Sequence, residues 1–98
     1  MRNPISNLNK VFESRIRLGI MSALMVNENL DFNNLKELLE VTDGNLASHL
    51  KALEQNEIIS VSKQFVGRKP NTTYSATPLG KEQFKQHLNA LENLLKTQ

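Results

Sequence analysis

The sequence predicts a mainly α-helical fold with one small β-hairpin, in the order helix, helix, helix, hairpin, helix. Three observations carry this. Apolar residues recur at spacings of three and four from Ile16 to Leu53. The period then drops to two from Ile59 to Phe65. Thr77-Pro78 afterwards restarts the helical period, threonine suiting an N-cap and proline the first helical position.

Each element has its own justification. Ile5, Leu8, Val11 and Phe12 form a helical stripe over residues 4–13, as a separate short helix or the front of the next one. From about residue 14 to Asn27, Ile16, Ile20, Ala23 and Leu24 share a face, widened by Leu18, Met21 and Met25. Leu30-Asp31-Phe32 reads as a short extended piece. Asn33 or Asn34 then caps a second helix through Leu35, Leu38 and Leu39, ending near Val41. Thr42-Asp43-Gly44 makes a compact turn, and Thr42 or Asp43 caps a third helix, about 43–56, with Leu46, Leu50 and Leu53 inward. Ile59, Val61, Lys63 and Phe65 share one strand face, so Lys63 is expected to pack its stem inward and extend its amine. Residues 66–71 read as a loop and Thr72–Ala76 as the return strand. The last helix, 78–97, carries Phe84, Leu88, Leu91 and Leu95. Two short helices joined by a tight turn match a helix-turn-helix, and the added hairpin makes it a winged helix-turn-helix with a C-terminal helix.

At 98 residues the chain is expected to be a single domain, 1–98, with limited burial for a monomer. Its composition, 39% hydrophobic and 22% charged, is that of a folded chain. The absence of cysteine excludes disulfides, thiolate catalysis and cysteine metal sites. No apolar run reaches a membrane span of about 20 residues, and the start lacks a signal-peptide core, so a soluble cytoplasmic protein is expected. The four glycines form no phosphate loop or dinucleotide fingerprint, and no nucleophile has an evident base. No enzymatic activity and no cofactor are expected. A net charge of +2 is compatible with a polyanionic partner.

The residues also carry a resemblance. Arg17-Leu18-Gly19-Ile20-Met21, Phe32-Asn33-Asn34-Leu35 and the block from Thr42 to Glu54 resemble the small MarR/ArsR-like winged-helix transcriptional regulators. The wing from Lys63 to Tyr74 and the exit Ala76-Thr77-Pro78-Leu79-Gly80 extend the likeness over about residues 14–84. It implies a homodimeric DNA-binding regulator whose third helix enters the major groove and whose wing, about 63–72, touches flanking backbone or minor groove. It does not carry over metal sensing. The metal-sensing members use cysteines or histidine–carboxylate clusters, and this chain has only His49 and His87.

On that reading, Gly44, Ser48 and Lys51 face outward on the third helix, with Asn45 on its flank. These short polar groups suit base edges and phosphates, and Lys51 can neutralise a phosphate. Thr42, Asn33 and Asn34 join the expected DNA-binding set. His49 borders the apolar face, and either touches phosphate or sits half-buried at the helix edge. Lys63, Arg68 and Lys69 supply wing cations suited to phosphates or a narrow minor groove. Between Asp43 and Thr72, four cations against three carboxylates leave only +1, so ordinary affinity and not strong non-specific coating of DNA is expected. Ile5, Leu8, Phe12, Phe84, Leu88, Leu91 and Leu95 are expected to bury one another across a homodimer formed by the terminal helices. His87 is expected at the surface or that interface. The expected partners are double-stranded DNA and a second copy of the chain, with no membrane; no small-molecule effector is assigned. The alternative is a winged-helix module that binds protein and not DNA.

Overall fold

The computed structural model describes residues 3–96. A single 3₁₀ turn, Lys10–Phe12, precedes α1 (Arg15–Val26), β1 (Leu30–Asp31), α2 (Phe32–Leu39), α3 (Asp43–Gln55), β2 (Ile59–Val66), β3 (Lys69–Ala76) and α4 (Pro78–Lys96). The strands form one antiparallel sheet in the order β1-β3-β2. The architecture is the winged helix read from the sequence.

Side-chain caps start each helix. Ser14 accepts from the Arg17 amide at 3.3 Å, and Thr42 Oγ1 from the Asn45 amide at 3.2 Å. Thr77 Oγ1 accepts from the Gly80 amide at 2.9 Å and donates to the Glu57 carbonyl at 2.7 Å. It thus starts α4 and ties it to the end of α3 at once. The cap of α2 is neither Asn33 nor Asn34 but Asp31, which accepts from the Asn34 amide at 2.7 Å. Asp31 ends β1 and begins α2 without an intervening residue, and its carboxylate suits the positive end of the helix.

The core joins Phe12, Ile20, Met21, Leu24, Leu35, Leu46, Leu50, Leu53, Ile58, Ile59 and Phe84. Glycine has a steric role at Gly80: a Cβ there would lie 2.0 Å from the Ile58 carbonyl oxygen, so only glycine lets α4 seat against the start of the hairpin.

Several expectations are corrected. Residues 4–13 are not a helix but a turn at 4–7 followed by the 3₁₀ turn. Asn9 interrupts them: its backbone is extended, its side chain caps Val11, and its N–H is committed to His87 Nδ1 at 3.0 Å. Residues 66–71 are not a loop. The strands run on to a two-residue turn, Gly67–Arg68, with Gly67 at φ 67° as the first central position requires. Pro70 is tolerated because it lies opposite Phe65, one pair beyond the closing Val66–Lys69 pair. A ladder alternates, so the missing N–H there points away from β2, and β1 pairs only with residues 73 and 74.

The inward reading of Lys63 and Phe65 also fails, for the same reason. Ile59 is buried and Val61 half-buried, but from Ser62 on β2 projects past the body as a free ribbon. Phe65 is 75% exposed. Finally, the inner stripe of α4 is Gly80, Phe84, His87 and Ala90, offset from the predicted one. His87 is buried, not a surface residue. The predicted end of α4 at residue 97 lies outside the described residues.

Candidate nucleic-acid interface

α3 is positioned from below by Leu46, Leu50 and Leu53, all buried. That leaves Gly44, Asn45, Ser48 and Lys51 exposed on its outer side, with Thr42 exposed at its cap. Nothing lies within 4 Å of where a Gly44 Cβ would sit, so the first turn of α3 is open to close approach by a ligand. Asp43, the acidic group in that turn, is paired with Lys36 of α2 at 2.8 Å. The pair is exposed and adds little stability, but it offsets a carboxylate that would otherwise face a polyanion alone.

His49 is half-buried between α3 and α1. Its Nδ1 accepts from Arg17 Nε at 2.9 Å, and Arg17 Nη1 donates to the Val11 carbonyl at 3.3 Å. Burial, and then the Arg17 charge, push the His49 pKa below its ordinary value, so the ring is neutral at pH 7. Arg17 had no role in the sequence reading, although a signal was present. It stands three, four and seven residues before Ile20, Met21 and Leu24, a cation in register with a buried stripe, which calls for a polar partner.

Arg15 is a second missed cation. With Ile16 it lines one side of a cleft of about 350 Å³ whose other side is the α2–α3 turn, with Thr42 and Asn45. A smaller cleft, about 220 Å³, sets Asn33 beside Pro70, Asn71 and Thr72, so the first turn of α2 lies against the wing strand. Asn33 and Asn34 are both exposed. Lys63, Arg68 and Lys69 are exposed along the ribbon and its tip. Glu54 lies near Tyr74, whose pKa is raised by burial first and by that carboxylate second.

The expected dimer residues divide into two groups. Phe12 and Phe84 are 0% and 2% exposed and stack edge to face, centroids 5.1 Å apart at 75°. They fill the core of one chain and have no surface left for a partner, which corrects their assignment to an interface. Ile5, Leu88, Leu91 and Leu95 remain exposed and Leu8 half-buried.

Among the described residues, no three histidine or acidic side chains gather closely enough to hold a metal ion. No helix there is long and apolar enough to cross a membrane.

Residues 16–95 match a family described as "Winged helix DNA-binding domain". An uncharacterised protein of Methanocaldococcus jannaschii is 36% identical over 87 residues, covering 89% of this chain and 95% of that one. Among solved structures, a transcriptional regulator homologue from Pyrococcus horikoshii OT3 superposes with a TM-score of 0.81 at 30% identity, over 88% of this chain and 85% of that one. Diamide-treated YodB from B. subtilis gives 0.80 at 22% identity, over 89% and 85%. A proposed regulator of the MarR family from Enterococcus faecalis V583 gives 0.75 at 20% identity, over 96% and 80%. The last two likenesses are of fold. The family is that of a winged helix DNA-binding domain, and the fold is shared with the transcriptional regulator homologue.

Proposed function

The chain belongs to the winged helix DNA-binding domain family, and from that premise we propose that it is a cytoplasmic, homodimeric, sequence-specific regulator of transcription. In this reading α3 enters the major groove. Asn45 and Ser48 address base edges, with Gly44 allowing close approach and Thr42, Lys51 and His49 meeting backbone or bases. Lys63, Arg68 and Lys69 follow the flanking backbone or minor groove, and Asn33 and Asn34 meet phosphate beside the wing. The observation that carries the reading is the outer face of α3. Three buried leucines hold that helix rigidly while its outer face is polar, small and uncovered. A protein-docking surface would have an apolar centre there.

The test is a binding titration on a duplex selected from genomic DNA and on a scrambled one. Asn45→Ala or Ser48→Ala should cost about 1–3 kcal/mol on the selected duplex and relax sequence choice. If these variants bind both duplexes like the unaltered chain, α3 is not the reading element.

A further inference from the structure

The bond between Arg17 and His49 does more than pack α1 against α3. On the premise that α3 reads DNA, we propose that Arg17 is a positioning residue of the DNA-reading surface: it locks His49 in one tautomer, so that His49 Nε2–H is a fixed hydrogen-bond donor toward acceptor atoms on DNA.

Proton placement decides the tautomer. Arg17 Nε carries hydrogen and has no acceptor capacity, so at 2.9 Å it donates and His49 Nδ1 accepts. A ring nitrogen that accepts carries no proton, so the neutral imidazole must hold its single hydrogen on Nε2. Arg17 is not free to turn away. It lies in register with the buried stripe of α1, and its Nη1 is tethered to the Val11 carbonyl.

Among the described residues Nε2 has no partner, yet no buried side-chain nitrogen or oxygen there is left unpaired. Nε2 is therefore not sealed from solvent. Helical rotation puts His49 one turn beyond Asn45 on the same flank of α3. The donor thus stands beside an exposed residue of the reading face. It can serve only acceptors: a phosphate oxygen, or a major-groove base acceptor such as guanine N7 or O6, adenine N7 or thymine O4. Without Arg17 the ring is free to exchange tautomers and to offer a lone pair instead.

The experiment has two parts. Long-range proton–nitrogen spectra of the free protein should show His49 with Nε2 in the protonated, pyrrole-like range and Nδ1 in the unprotonated one. Arg17→Met, which keeps the stem but removes the donor, should bring both nitrogens toward averaged shifts. On the selected duplex, His49→Ala should weaken binding about tenfold, the scale of one good hydrogen bond. Arg17→Met should weaken it less, since an unlocked neutral imidazole already favours Nε2–H, and the double variant should lose no more than His49→Ala alone. His49→Gln places an amide donor near Nε2 and needs no tautomer lock, so it should restore binding in the Arg17→Met chain. His49→Asn, which does not reach, should not. Equal losses from His49→Ala on selected and scrambled duplexes assign the acceptor to phosphate; a loss on the selected duplex alone assigns it to a base.

A His49 that carries its proton on Nδ1 overturns the proposal. So does an Arg17→Met effect that persists undiminished with His49→Gln, since Arg17 would then touch DNA itself. A locked tautomer in a chain that binds no duplex removes the donor's target along with the DNA-binding reading, and the spectrum distinguishes that failure from loss of the lock. Thermal melts of each variant identify any that fail to fold, and the spectra of the unaltered chain test the lock independently of them.

Discussion

Two histidines show how much one imidazole nitrogen can decide. His87 is 3% exposed, accepts from the Asn9 amide and lies with its ring centroid 5.4 Å from that of Phe12. Burial pushes its pKa below the ordinary 6.5, the nearby Glu13 charge opposing this. His49 is lowered as well, by burial and then by Arg17. Below about 6.5 the unfolded chain therefore takes up protons that the folded chain refuses, so the free energy of unfolding rises with pH in that window. The stability held by the two neutral rings is complete above about 6.5 and is lost as pH falls through their lowered folded values. Thermal melts should show the midpoint dropping between about pH 7.5 and 5.5, more steeply in the unaltered chain than in His87→Gln. A midpoint flat over that range in both would refute the linkage. The wing cations give a second test at this scale. Arg68→Ala or Lys69→Ala should reduce binding to selected and scrambled duplexes alike. Either change should also flatten the dependence of log affinity on log salt, by about one unit for each phosphate no longer neutralised. If either change alters sequence preference while leaving that slope intact, the wing reads bases and the division of roles is reversed.

The elements are held to one another at a few points where backbone meets backbone. Gly80→Ala drives a Cβ into the Ile58 carbonyl, which is fixed at the junction of α3 and β2, so neither side yields cheaply. A loss of about 1–3 kcal/mol in chemical unfolding is expected, and a variant as stable as the parent would mean that α4 can slide on the hairpin. Glu40, at the end of α2, sits at φ 52°, a left-handed conformation costly for a side chain with a Cβ. Glu40→Gly removes that cost and gives back some unfolded-chain entropy, leaving an expected gain of about 0.5–1 kcal/mol. An unchanged or lower unfolding midpoint would show that the Glu40 side chain contributes something glycine cannot. Elements with both a cap and a full apolar period, such as α1 and α3, were legible in the sequence to within a residue. What was not legible depends on distant partners. Asn9 breaks the stripe at residues 4–13 because His87, far along the chain, takes its N–H. Phe65 keeps the alternation of a half-buried strand although no body lies beneath it, since period reports pleat and not cover. In the candidate site, the outer face of α3 followed from rotation about three leucines, whereas Arg17 acquires meaning only when α1 is laid against His49.

As a whole the molecule measures 58 × 25 × 22 Å with a radius of gyration of 15.0 Å, against about 13 Å for a compact domain of a hundred residues. Two projections stretch it: the free ribbon of the wing, and α4, whose 19 residues span about 28 Å. The body covers one side of α4, through Phe84, His87 and Ala90. The adjoining side presents Leu88 and Leu91, 44% and 36% exposed, and ends in Leu95 at 88%. Three leucines one turn apart are costly to leave in water, each worth about 1.5–3 kcal/mol when fully buried. In the proposed dimer they meet their copies about a two-fold axis, with Ile5 and Leu8 at the margin and without Phe12 or Phe84. That axis would set the two α3 helices into successive major grooves about 34 Å apart, on an approximately palindromic site. Leu91→Asp places a carboxylate in the middle of the interface while leaving the buried side of α4 untouched. The variant should keep its helical circular dichroism and sediment as a monomer. It should bind the selected duplex far more weakly, because each half-site must then be captured separately. The unaltered chain sedimenting as a monomer at tens of micromolar would end the dimer proposal. A dimeric Leu91→Asp chain would move the interface elsewhere on the molecule.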